Sequence, residues 1–346
     1  MNNSIFLAIR DIISGITPSI DVSHILYDHR CFYLLSLYNN SYSNLLTSKM
    51  AVNKLAISKR YRELSLFLEK VNLPYAIIKG AVLSEALYGS SFFRISGDVD
   101  FLVHRNQGDD LKYLLLSNGF IQGRVKDSKI IPYTREELLY YAVSTHQTAP
   151  YVKQINNSII PFINIDVNFD IYWGEYEQKS DMDFVLSQLQ KINILGTQVN
   201  KLSSEMEFIS LCLHHYKDLN SIYLLFKNGM KLCYFSDIFF YVMNNKLDKK
   251  KLFDAANRLN AEKYLYYCLY YTNIIFDSTV IKDYLFLFSE YKDNSLIETY
   301  GLTSKEIKTW NIDFESRLFG NSLKEYFQSN LTQQDFNKIN INSKYI

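Results

Sequence analysis

Apolar residues recur along this chain with two different periods, and the change from one to the other divides it. Up to about residue 70 the spacing is three to four, as in LLTSKMAVNKLAISKRYRELSLFLEKV, which predicts helices. Asn72 ends that run and Pro74 opens something new. YAIIK, 75–79, is a short apolar run between Pro74 and Gly80 and reads as a buried strand. From Ala81 to Tyr88 the spacing is helical again (Val82, Leu83, Ala86, Leu87), with Gly89 as a C-terminal stop. VDFLV, 99–103, is the next strand, and LKYLLLSNGF, 111–120, the next helix. PFINIDVNFDIYWG, 161–174, alternates strictly. Ile163, Ile165, Val167, Phe169 and Ile171 form one face, and Asn164, Asp166, Asn168, Asp170 and Tyr172 the other. After about residue 181 the pattern is expected to turn helical and to stay so, with a capping-box start at Ser203 or Ser204.

These periods predict an α+β protein: a small mixed sheet with flanking helices, a helical N-terminal lead-in and a helical C-terminal domain. The expected boundaries are 1–72 for the lead-in, 73–195 for the mixed core and 196–346 for the helical domain. Composition supports a folded chain, since 48% of residues are hydrophobic and 21% charged. The formal net charge of +1 gives no general attraction to a membrane surface and disfavours a long nucleic acid as partner. Cys31, Cys212, Cys233 and Cys268 show no metal-ligand spacing and read as buried thiols of a reducing compartment. The N-terminus lacks a secretory pattern, and no apolar run is long enough to span a bilayer. A cytoplasmic protein without a membrane partner is the expectation.

Candidate chemistry lies in KGAVLSEALYGSSFFRISGDVDFLV, 79–103. Asp98 and Asp100 are two apart on a predicted strand, so their carboxylates share a face and repel. A solvated strand face tolerates that. A pair of divalent cations bound by clustered carboxylates exploits it. The context favours cations. Lys79-Gly80-Ala81 joins a strand to a helix, where glycine lets the backbone approach a phosphate and the helix N-terminus offers free N–H groups. Arg94 and Ser96 precede the aspartates and are both able to contact phosphate oxygens.

Taken together, Lys79, Gly80, Tyr88, Arg94, Asp98 and Asp100 resemble the active-site signature of the DNA polymerase β-type nucleotidyltransferase superfamily. Within it they are most similar to the bacterial uncharacterised nucleotidyltransferase family. The likeness continues through His146, the strand 163–173 and Lys231 with Asp237, over roughly residues 60–245. It implies a Mg²⁺-dependent enzyme in which three carboxylates hold two ions, with Mn²⁺ as an alternative. One ion would activate an acceptor hydroxyl, and the other would bind the triphosphate of an NTP. Lys79, Gly80, Ala81, Arg94, Ser96 and Lys231 are then the candidates for binding the nucleotide, and His146 for the substrate. Two aspartates compete for the third carboxylate. Asp166-Val167-Asn168-Phe169 fits the family pattern with Asn in place of His, and Asp170-Ile171-Tyr172-Trp173 fits it with Tyr in that place. Ala81 departs from the second Gly or the Ser of the wider superfamily. The Arg94-x-Ser96-x-Asp98-x-Asp100 spacing also suits nucleotidyltransferase toxins.

Other singled-out residues read more plainly. His214 and His215 are adjacent on a helix and point about 100° apart, so they form no chelating pair. Lys227 and Lys231 share a helix face, where lysines are usually solvated. The enzyme reading names an NTP and an unidentified acceptor, either a small molecule, a peptide or protein, or an RNA end. The alternative is an inactive relative that keeps the fold as a nucleotide-binding or scaffolding protein.

Overall fold

The computed structural model describes residues 4–38, 41–174, 179–320 and 323–345. Expectations for 1–3 and 39–40 in the N-terminal helical stretch, and for 321–322 and 346 in the tail, lie outside the described residues. The chain divides into two units, Asn44–Ser210 on the one hand and Met1–Ser43 with Leu211–Ile346 on the other.

The first unit holds a six-stranded mixed sheet. Its strands are β1 (Tyr75–Ile78), β2 (Asp98–Val103), β3 (Ile121–Lys126), β4 (Lys129–Pro132), β5 (Tyr151–Gln154) and β6 (Phe162–Asn168), in the order β1-β2-β6-β5-β3-β4. β2 and β6 are parallel, and the other neighbours are antiparallel. β1 and β2 are joined through the helix Gly80–Tyr88, as the switch from a continuous apolar run to helical spacing predicts. The long helix Ser43–Leu68 belongs to this unit from Asn44 on. Its Ile57, Tyr61, Leu64 and Phe67 are buried in one core with Ile77, Val99, Phe101, Ile163, Ile165 and Val167. Apolar burial of this kind fixes a helix against a sheet more firmly than its own propensity does.

Two expectations need correction here. The alternating run does not stay extended to residue 174, because β6 ends at Asn168. Nor is the chain purely helical after 181. A hairpin of β7 (Leu189–Ile194) and β8 (Thr197–Leu202) precedes the helix Ser204–Asn220, and its Ile194 and Val199 enter the sheet core. The two-residue turn is Leu195-Gly196, with φ of 47° and 98°. Such turns favour Asn or Asp before Gly, and a leucine there conceals the signal. The unit runs to Ser210, within that helix.

The second unit is mostly helical. Arg10 donates to the carbonyls of Ile274 and Ile275 at 2.7 and 2.8 Å, which caps the end of the helix Glu262–Phe276. The rings of Phe235, Tyr271 and Phe314 pack against one another in tilted and edge-to-face pairs. His215 and Asp237, both fully buried, meet at 3.2 Å. None of the described helices is long and apolar enough to cross a membrane.

Candidate active site

Strand register assembles the site. Parallel pairing sets Asp98 opposite Asn164, Asp100 opposite Asp166 and Leu102 opposite Asn168. Asp98, Asp100 and Asp166 therefore project from one face of two adjacent strands. Asp170 lies beyond the end of β6 and turns to other work. It accepts from the Tyr172 N–H at 2.9 Å, the Ser180 N–H at 3.1 Å and the Ser180 hydroxyl at 2.6 Å. Of the two competitors for the third carboxylate, only Asp166 stands beside the pair.

The electrostatics follow from that crowding. Burial raises the Asp100 carboxyl above the usual range, and Asp98 adds to the rise, against the pull of Lys79. Burial pushes Asp166 up to about 7, with Asp100 and Asp98 adding to it and Lys79 opposing. The Lys79 ammonium is 3.2 Å from Asp100 Oδ1. Asn168, in the position where the family pattern has His, is fully buried and donates to Asp100 Oδ1 at 3.4 Å and to the Phe101 carbonyl at 3.3 Å.

The turn from β1 into the helix Gly80–Tyr88 closes the other side. Lys79 has φ 63° and ψ −157°, a region almost reserved for glycine, and Gly80 follows at φ 49°. A Cβ on Gly80 would stand 3.2 Å from Ser96 Oγ. The Ala81 side chain is buried, so what it offers a ligand is its backbone N–H in the first helical turn. The Ser96 hydroxyl donates at 2.9 Å toward both the Asp98 carbonyl and Asp98 Oδ1. Arg94 lies two residues before Ser96 in the same irregular segment.

Within the first unit, one expected residue stands apart from the carboxylates. His146 lies at the C-terminal end of β6, where its carbonyl accepts from the Phe169 N–H at 2.9 Å. It lines a cavity of about 190 Å³ with His104, Arg105, Phe169, Asp170 and Trp173, at the strand ends away from Asp98. Lys231 belongs to the helical unit, at the start of the helix Leu232–Asn244, with its ammonium 3.5 Å from the Asp28 carbonyl. Sequence reasoning also missed Tyr133 and Tyr141. Burial is the main cause that raises both phenols, and the Asp166 carboxylate adds to it, which places them near that carboxylate. Their only sequence signal is a general abundance of tyrosine.

Among the described residues, no three His, Cys, Asp or Glu side chains already stand in a metal-binding arrangement. The donor set nonetheless suits a hard divalent cation. Three carboxylates stand at adjacent positions of β2 and β6, and the Lys79 ammonium pairs with that of Asp100.

A model of the uncharacterised nucleotidyltransferase family matches residues 41–277. Among solved structures, the chain is similar to an antigenic nucleotidyltransferase-like protein from Paracoccidioides brasiliensis. The identity is 16% and the TM-score 0.40, over 69% of this chain and 93% of that one. No curated protein matches the chain.

Proposed function

Because this chain belongs to the uncharacterised nucleotidyltransferase family, we propose that it transfers a nucleoside monophosphate from an NTP to an acceptor hydroxyl with the aid of Mg²⁺. The observation that carries this reading is the register that sets Asp166 against Asp100 and two residues from Asp98. Asp98, Asp100 and Asp166 would hold the metal ions, which when bound polarise phosphate oxygens and favour ionisation of the hydroxyl.

The protein's own groups supply position and charge. The N–H groups of Gly80 and Ala81 open a nine-residue helix and face the triphosphate, aided by the positive end of the helix dipole. The Lys79 ammonium, now on Asp100, and the Arg94 guanidinium would each pair with phosphate oxygens of the bound nucleotide. The acceptor oxygen forms a bond to the α-phosphorus, the bond to the bridging oxygen breaks, and pyrophosphate departs. The hydroxyl proton passes to water. Asn168 keeps Asp100 from turning away. The inactive-relative alternative would need a lost carboxylate or a blocked cleft.

Titration calorimetry of ATP, CTP, GTP and UTP with Mg²⁺ tests the reading on the wild type, Asp100→Asn, Asp166→Asn and Asp170→Asn. Asp100→Asn and Asp166→Asn are expected to weaken metal-dependent nucleotide binding by about a hundredfold or more. Asp170→Asn should keep binding and lose about 1–2 kcal/mol of stability, because it disturbs the hydrogen bonds to Tyr172 and Ser180. Binding that ignores Asp100 and Asp166, or its absence in the wild type, would sink the proposal. Intact-mass screening of candidate acceptors with the preferred NTP then identifies what is modified.

A further inference from the structure

The segment from Phe92 to Gly97 belongs to no helix or strand, yet it carries Arg94 and Ser96 and leads the chain into Asp98. Irregular backbone that is partly buried needs side chains to satisfy its polar groups. On one side, the buried Ser84 hydroxyl accepts from the N–H groups of Phe93 and Arg94 at 3.1 and 3.2 Å. The carbonyls are met from the long helix Ser43–Leu68. Asn53 Nδ2 donates to the carbonyls of Phe92 at 2.7 Å and Arg94 at 3.1 Å, and Arg60 Nη1 donates to that of Ser96 at 2.9 Å. Asn53 and Arg60 are two helical turns apart, so one helix face meets three alternate carbonyls in a row.

Both side chains are buried, Asn53 at 8% exposure and Arg60 at 6%. Arg60 Nε is buried as well, without a hydrogen-bond partner among the described residues. Burial draws the guanidinium's pKa down, and Tyr61 and the Asp98 carboxylate oppose this. Stability alone is a poor reason for such a group. Apolar replacements of buried charges are often neutral or stabilising, and Ile57, Tyr61, Leu64 and Phe67 already seat the helix. A fixed charge under an irregular segment is better explained by what that segment must hold in place.

We propose that Asn53 and Arg60, outside the recognisable motif, are positioning residues for the transfer reaction. They latch the Phe92–Ser96 segment so that Arg94 faces the phosphates and Ser96 orients Asp98. The proposal rests on the nucleotidyl-transfer reading, and its test separates the two.

Full-length Arg60→Met, Arg60→Lys and Asn53→Leu are compared with the wild type by three measurements. These are Mn²⁺ and MgATP titration well below the melting temperature, the melting temperature itself, and amide hydrogen exchange. Arg60→Met and Asn53→Leu are expected to stay folded and to bind Mn²⁺ about ten- to a hundredfold more weakly. Exchange should quicken at Phe93, Arg94 and Asp98 and stay unchanged in β6. Arg60→Lys should recover part of the Mn²⁺ affinity, which a merely structural role would not predict. Folded variants with wild-type Mn²⁺ affinity overturn the latch and leave the transfer reading intact. A wild type that binds neither Mn²⁺ nor MgATP sinks the transfer reading. The exchange data still decide the latch in that case, because unchanged exchange at 93–98 in both variants overturns it and quickened exchange confined there upholds it. If Arg60→Met does not fold, Arg60→Lys and Asn53→Leu decide by the same measurements.

Discussion

Gly80 has a positive φ of 49° and lies so close to Ser96 that a Cβ would stand 3.2 Å from its hydroxyl oxygen. Gly89, at the other end of the same helix, also has positive φ, but a Cβ there meets nothing within 4 Å. The pair separates backbone strain from crowding. Gly80→Ala and Gly89→Ala should each lose about 1 kcal/mol in urea titrations. Only Gly80→Ala should also weaken MgATP binding, because it pushes Ser96 off Asp98. Equal nucleotide affinities in the two variants would show that the Ser96–Asp98 contact does not support nucleotide binding. Asp98 and Asp100 were legible in the sequence because alternate carboxylates inside an apolar run stand out. The third carboxylate was not. Asp166 and Asp170 have the same parity in one period-two run, and the deciding facts are where β6 stops and how it registers against β2. Both depend on contacts with residues far away in sequence. Asn53 and Arg60 were hidden for a related reason, since a polar residue on a long helix looks solvated until the segment it holds is known.

Among the elements, β1, the helix Gly80–Tyr88 and β2 were readable because each changes period at a Pro or a Gly. The hairpins were not. Asp127-Ser128 turns β3 into β4 with both φ values positive, at 49° and 58°, and Leu195-Gly196 does the same for β7 and β8. A leucine with φ of 47° that is also partly exposed stabilises little in return. Leu195→Asn should therefore raise the stability of the protein by about 0.5–1 kcal/mol, because asparagine tolerates the left-handed region better. Chemical denaturation checks this. A midpoint that falls would mean the Leu195 side chain packs more tightly than its exposure indicates.

For the molecule as a whole, the family match runs from 41 to 277 and so includes sequence of both units. The helical unit carries the clearest pH sensitivity outside the candidate site. The Leu232 N–H donates to His29 Nδ1 at 3.0 Å, and burial pushes that imidazole down to about 4, with Lys231 adding to the shift and Asp28 opposing it. The folded state thus prefers neutral His29, while the unfolded chain binds a proton near 6.5. Stability from this group is complete above pH 6.5 and is lost as pH falls toward 4, by at most about 3 kcal/mol. Melting curves across that window should show the loss, and His29→Asn, which keeps an acceptor but does not titrate, should flatten it. The register of β2 and β6 also bears on how the protein is made. Asn168 and Asp100 touch although they are 68 residues apart in sequence, so a ribosome completes β2 long before its inner partner exists. During that interval β2 is an open edge, the kind that recruits strands from other chains. Asp98 and Asp100 put like charges on that edge and discourage a second nascent copy from pairing there. Refolding of Asp98→Asn/Asp100→Asn should therefore scatter more light than the wild type at equal concentration. The aspartates would then guard the half-made sheet before they serve the finished one.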